Sequence, residues 1–212
     1  MHIHIFGASC SGVTTLGRAL SGHLSGPYEN QIFEQSSGRP GPQLSQQSSP
    51  RQMEFPYFDS DDYFWLPTDP PYTQRRPPAE RNAQILADLD KNEHWILGGS
   101  IIHWGASFPP FDLIVFLYLP PAIRMQRLKA REYARYGDII DSDPDRKRQS
   151  EEFFTWAADY DHATGIANRT LPAHESWLQA QTSPILEIRG DTTVQERLDL
   201  VLGNKALQGR LA

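Results

Sequence analysis

Several things are scarce in this chain, and each absence narrows what it can be. Cysteine occurs once, at Cys10, so an intramolecular disulfide is impossible and a reducing compartment fits best. No apolar run approaches the roughly 18–20 residues of a membrane-spanning helix, which excludes a helical membrane protein. Basic residues are outnumbered, 20 Lys and Arg against 26 Asp and Glu, and the net charge of −6 argues against a nucleic-acid binder, whose domain usually shows a basic excess. The amino-terminal residues lack a basic stretch followed by a long apolar one, so the chain is expected to be untargeted and cytoplasmic. No internal repeat is present, and His94, His103, His162 and His174 show no metal-ligand spacing.

A further absence is local and more informative. The stretch Gly7-Ala8-Ser9-Cys10-Ser11-Gly12-Val13-Thr14-Thr15 has the form of a phosphate-binding loop, except that Val13 stands where a lysine belongs. Such a loop holds polyphosphate through backbone N–H groups and a helix N-terminus, while its lysine reaches the outer phosphates and its Ser or Thr meets Mg²⁺. Gly7, Gly12 and Thr14 fit that pattern. The flanks fit as well: His2 to Phe6 is a short β-branched and aromatic run, and Val13, Leu16, Leu20 and Leu24 carry a helical spacing. The plainer alternative is a Gly/Ser-rich strand-to-helix turn.

What the chain does have is enough for one α/β domain: 212 residues, 39% hydrophobic and 11% aromatic. From Gly26 to Met53 it is rich in Gly, Pro, Ser and Gln and poor in apolar side chains, and a flexible insertion is expected there. A second strand is expected at Phe55–Asp59. A helix opened by Pro77-Pro78 follows, with Ala83, Ile85, Leu86 and Leu89 inward. Strands are then expected at His94–Leu97, Asp112–Leu119 and Ile185–Ile188. Helices are expected at about 122–136, 150–160, 173–180 and through Val194, Leu198, Leu200 and Val201. Strands alternating with helices indicate a five-stranded parallel sheet in a three-layer α/β/α arrangement.

Ligands of such sheets sit beyond the carboxyl ends of the strands, where this chain places the loop, Asp59-Ser60-Asp61-Asp62 and Gly98-Gly99-Ser100. Phosphoryl transfer needs positioning and charge neutralisation, with a carboxylate for the acceptor hydroxyl and another for metal-bound water. Asp59, Asp61 and Asp62 suit these tasks; the alternative is a helix N-cap. Arg124, Arg127, Arg131 and Arg135 fall on one helix face, which is either functional or simply solvated.

On these residues the chain resembles the small phosphate-loop kinases of the adenylate kinase and shikimate kinase group. Gly12 to Leu20 is similar to the shikimate kinase loop and helix apart from Val13, and Asp61-Asp62-Tyr63-Phe64 is similar to a stretch of uridine kinase. The resemblance implies a P-loop NTPase fold with a helical lid at about 122–150. It implies ATP bound by Gly7, Ala8, Ser9, Cys10, Ser11, Gly12, Val13, Thr14 and Thr15, and Mg²⁺ at Thr14 and Asp59. It also implies acceptor contacts at Asp61, Asp62, Gly98, Gly99 and Ser100, and catalytic roles for Asp59, Asp61, Arg127 and Arg131, with Arg135 a further lid candidate.

The expected activity is Mg²⁺-dependent transfer of the γ-phosphoryl group of ATP to a small-molecule or nucleotide acceptor, with no nucleic-acid or membrane partner and no protein partner named by the sequence. The alternative is a nucleotide-binding regulator that lost catalysis with its lysine. Trp65, Trp104 and Phe108 are candidates for an acceptor wall, core packing being simpler. Cys10 lacks a basic partner for a nucleophile role. His2 and His4 alternate on a strand and are expected to be structural.

Overall fold

In a computed structural model, residues 1–27 and 52–211 are described. Residues 28–51, the bulk of the expected 26–53 insertion, lie outside the described residues. Its ends form a short antiparallel ribbon of β2 (Gly26–Pro27) and β3 (Gln52–Met53).

The main sheet has five parallel strands in the order β4-β5-β1-β6-β7: β4 (Tyr57–Asp59), β5 (Trp95–Gly98), β1 (His2–Gly7), β6 (Leu113–Tyr118) and β7 (Ile185–Arg189). The expected five-stranded α/β/α architecture is the one observed. Register levels the strand ends, because Asp59 pairs with Gly98 and Gly98 with Ile5. The segments that follow β4, β5 and β1 therefore open on the same edge. That edge is where the loop, the carboxylates and the glycine turn meet.

Alternation along β1 divides the core. Ile3 and Ile5 face one layer, with Leu16, Leu20 and Leu24 of α1 (Val13–Leu24) and Val201 of the helix Val194–Leu202. Phe6 faces the other, with Ile85 and Leu89 of the helix Pro78–Asp90 and Leu178 of the helix Leu171–Gln179. Leu113 to Leu117 are buried on both faces, as their uninterrupted apolar run predicts. Each such fully buried Leu, Ile or Phe contributes about 1.5–3 kcal/mol.

In chain order the remaining helices are α2 (Ser60–Phe64), α3 (Pro78–Asp90), α4 (Pro121–Tyr136), α5 (Ile139–Ser142), α6 (Pro144–His162), α7 (Leu171–Gln179), α8 (Val194–Leu202) and α9 (Lys205–Leu211). Two expectations need correction. Ala83 is exposed, because the buried stripe of α3 runs Arg81, Ile85, Leu89 at intervals of four. The helix expected from Ser150 begins at Pro144, capped by the Asp143 carboxylate, which accepts from the Arg146 amide at 2.7 Å. No helix among the described residues is long and apolar enough to cross a membrane.

Candidate active site

The loop between β1 and α1 is built by conformations that few residues adopt. Cys10 has φ 65° and Gly12, the N-cap of α1, has φ 98°, so both lie in the left-handed region. The Ser11 amide donates to the Ala8 carbonyl at 3.1 Å, and the Leu16 amide starts the helix on the Gly12 carbonyl at 3.0 Å. Gly7 is required by close approach, since a β-carbon there would run into the Leu117 carbonyl. Val13, the first residue of α1, packs in part against the apolar layer beneath the helix. Burial pushes the Cys10 thiol up, which is the opposite of what a nucleophile needs.

Asp59 is where three elements meet. One of its carboxylate oxygens accepts from the Thr14 hydroxyl at 3.0 Å and from the Tyr57 hydroxyl at 3.2 Å, and the other caps α2 by accepting from the Asp61 amide at 3.1 Å. Capping and site chemistry are therefore not alternatives at this residue. Burial, reinforced by the Asp59 carboxylate, raises the Tyr57 phenol pKa, so Tyr57 remains a donor. Asp61 and Asp62 open onto the cleft, and both have raised pKa values, first from loss of solvation and next from the Asp59 charge.

A cleft of about 950 Å³ rises above the loop, lined by seven arginines and four carboxylates. Arginines thus outnumber carboxylates on its lining, in a chain whose net charge is −6. Most of these arginines are tethered to carboxylates. Arg124 is buried and paired with Asp161 at 2.6 Å, and Arg127 reaches Asp191 at 2.6 Å. The buried Glu132 holds Arg131 at 3.1 Å and Arg135 at 3.5 Å. Arg169 has no carboxylate or hydrogen-bond partner among the described residues and lies over the Trp156 ring, 5.1 Å from its centroid. Its pKa is lowered by burial, which the nearby Asp61 charge opposes.

The sequence comparison decides the relationship. The uncharacterized protein YqaC of Bacillus subtilis (strain 168) is 35% identical over 202 residues, covering 95% of both chains. This chain belongs to the YqaC family. No protein-family model matches it. Among solved structures it is similar to shikimate kinase from Acinetobacter baumannii in complex with shikimate, at 15% identity and TM-score 0.42 over 96% of this chain and 94% of that one. It is also similar to Chaetomium thermophilum Kti12 in complex with ADP-AlF3, at 13% identity and TM-score 0.45 over 95% and 97%.

In this YqaC-family chain the cleft gathers Gly7, Ala8, Ser9, Cys10, Gly12, Val13, Thr14 and Thr15 of the loop. With them are Asp59, Asp61 and Asp62, Gly99 and Ser100, and Arg127, Arg131 and Arg135. Two expected residues do not face it. The Ser11 side chain is buried under the loop, and Gly98 is covered by the Tyr57 ring, which a β-carbon would strike. Of the three aromatic candidates only Trp65 lines the cleft. Trp104 is packed under Arg81, whose guanidinium lies 4.0 Å from its ring centroid, and Phe108 joins the apolar layer.

Other residues of the cleft carry no sequence signal. Arg146, Arg169, Trp156, Tyr72 and His174 all reach it from segments with no motif. His174 stands between the Ser100 hydroxyl, 3.0 Å from Nε2, and the Tyr160 hydroxyl, 2.9 Å from Nδ1. Burial lowers its pKa to about 3, which keeps the ring neutral. Such a chain of neutral groups leaves one hydroxyl free to donate. Inspection for metal spacing alone passes over it.

Proposed function

We propose that this chain is a nucleotide-dependent phosphotransferase acting on a small, anionic, hydroxyl-bearing acceptor. The observation that carries the reading is the contact between the Thr14 hydroxyl and the Asp59 carboxylate, with Asp61 two residues further on at the rim of the same cleft. Two hard oxygen donors beside a phosphate loop match the way Mg²⁺ is usually held, by one or two protein oxygens with the rest of its shell from phosphates and water. Bound there, Mg²⁺ would neutralise charge on the outer phosphates.

In the proposed reaction the acceptor hydroxyl oxygen bonds to the γ-phosphorus of ATP as the bond from that phosphorus to the bridging oxygen breaks. The bonding pair stays on the departing diphosphate, and the hydroxyl proton passes to Asp61. The raised pKa of Asp61 makes it a better proton acceptor than an ordinary carboxylate. Arg131 and Arg135, which line the cleft and are held by Glu132, are proposed to face the transferring charge. Arg169 is proposed to receive the acceptor's own anionic group, with Trp156 and Trp65 giving flat walls beside it.

The test is calorimetry with ATP and GTP, with and without Mg²⁺, followed by a phosphate-transfer screen over nucleoside monophosphates, nucleosides and hydroxylated carboxylates. Failure to bind any nucleotide at millimolar concentration ends the proposal. With an acceptor in hand, Asp61→Asn is expected to lower kcat by about 10²–10⁴ while leaving nucleotide affinity within a few-fold. Val13 favours a second reading, a nucleotide-responsive regulator. That reading gains if nucleotide binds tightly and no acceptor in the screen turns over.

A further inference from the structure

The proposed reaction leaves one physical question open at the loop itself. A polyphosphate chain needs fixed positive charge close to the backbone N–H groups that hold it, and Val13 supplies none. Every arginine on α4 that reaches the cleft is already matched to a carboxylate: Arg124 to Asp161, Arg127 to Asp191, Arg131 and Arg135 to Glu132.

Arg197, on α8, is different. Its side chain lies directly under the loop, with the residue only 4% exposed. Its Nη1 donates to the Ser11 carbonyl at 2.6 Å and its Nε donates to the Thr192 hydroxyl at 2.8 Å, and both acceptors are neutral. No carboxylate forms an ion pair with it among the described residues. The guanidinium lies against the loop where Gly12 has φ 98°, and a β-carbon there would press on Nη1. Holding this cation here is costly: burial lowers its pKa and the Arg127 charge lowers it further, while Asp191, already paired with Arg127, opposes both only in part. An anion bound on the loop's other side would offset that cost.

We propose that Arg197 supplies, from beneath the loop, the fixed positive charge that the missing lysine would supply from above. The inference rests on the nucleotide-binding reading given above and adds the residue through which the loop tolerates valine. Arg197 is a positioning residue: it acts on the phosphates through space and through the Ser11 carbonyl, not by touching them. Thr192 is a near neighbour in the chain but Ser11 is 186 residues away, so the loop and α8 must assemble before the charge is in place.

The experiment is a double-mutant cycle read by calorimetry with MgATP, MgADP and AMP on the full chain, with circular dichroism and melting as the check on folding. Arg197→Gln is expected to weaken MgATP about 10- to 100-fold, MgADP less and AMP least, the graded loss expected of an electrostatic effect. Adding Val13→Lys to Arg197→Gln is expected to recover at least tenfold, and at least tenfold more than Val13→Lys gains in the natural chain. A purely structural arginine predicts equal losses for the three nucleotides and no selective rescue, and either result overturns the inference.

If Arg197→Gln does not fold, Arg197→Lys decides the matter. It keeps the charge and loses the fork, so MgATP is expected to bind within about threefold of the natural chain, whereas a tenfold loss overturns the proposal. Failure of the natural chain to bind MgATP removes the phosphotransferase reading itself. Binding by the natural chain that Arg197→Gln leaves unaltered removes only the role of Arg197.

Discussion

Gly12 opens α1 and Gly22 lies near its end, and the same change to alanine is expected to move stability in opposite directions. At Gly12 the backbone has φ 98°, where an L-residue costs about 1–2 kcal/mol, and the new methyl would also displace the buried Arg197 guanidinium. Gly12→Ala should therefore destabilise by more than the backbone term alone. Gly22 has open space where the methyl would go and lies inside the helix, so Gly22→Ala should stabilise by about 1 kcal/mol. Urea unfolding midpoints at constant m-value check both; equal signs would mean that the loop conformation is not what fixes Gly12. Loop glycines of this kind are visible in a sequence, but the reason for Gly12 is not. Ser11 and Arg197 are 186 residues apart, and no spacing rule connects them.

At the scale of elements, α8 carries Arg197 and is held at its start by a capping box in which Thr193 and Glu196 satisfy each other's backbone amides. Thr193→Ala is expected to lower stability by about 1 kcal/mol, measured by denaturant unfolding. If ATP affinity falls with it by more than the folded fraction explains, the cap also fixes the arginine. The helices with apolar stripes, such as α1 with Leu16, Leu20 and Leu24, were legible because period and burial coincide. The first turn and a half of α6 was not, since Asp145, Arg146, Lys147 and Arg148 present no apolar face and only Asp143 and Pro144 mark the start. The arginines of α4 were legible as a face; that Glu132 lies buried between two of them is a fact of packing.

At the scale of the molecule, two neutral histidines buried in one layer should set its acid sensitivity. His4 lies on β1 with its pKa lowered by burial to about 4, and His174 on α7 is lowered to about 3. In the unfolded chain both titrate near pH 6.5. Below that pH the unfolded state takes up protons that the folded state refuses, so stability is full above about pH 6.5 and falls as pH drops toward 4, by about 1.4 kcal/mol per pH unit for each histidine. Urea midpoints between pH 7.5 and 4.5 measure the slope. His174→Gln should remove about half of it, and an unaltered slope would show that other groups govern the acid limb.

Periodicity, β-branched runs and glycine positions are local properties, so the parallel α/β class, the strand-loop-helix around Gly7 to Thr15 and the carboxylates after β4 can be read along the chain. It takes the assembled fold to put the Thr14 and Tyr57 hydroxyls on one Asp59 oxygen, to lay Arg169 over Trp156 with no carboxylate partner among the described residues, to bring Ser100 to His174, and to seat Arg197 beneath the loop. Those pairings join residues distant in the chain. Their geometry is fixed by which helices cover which face of the sheet, and no window of neighbouring residues encodes that.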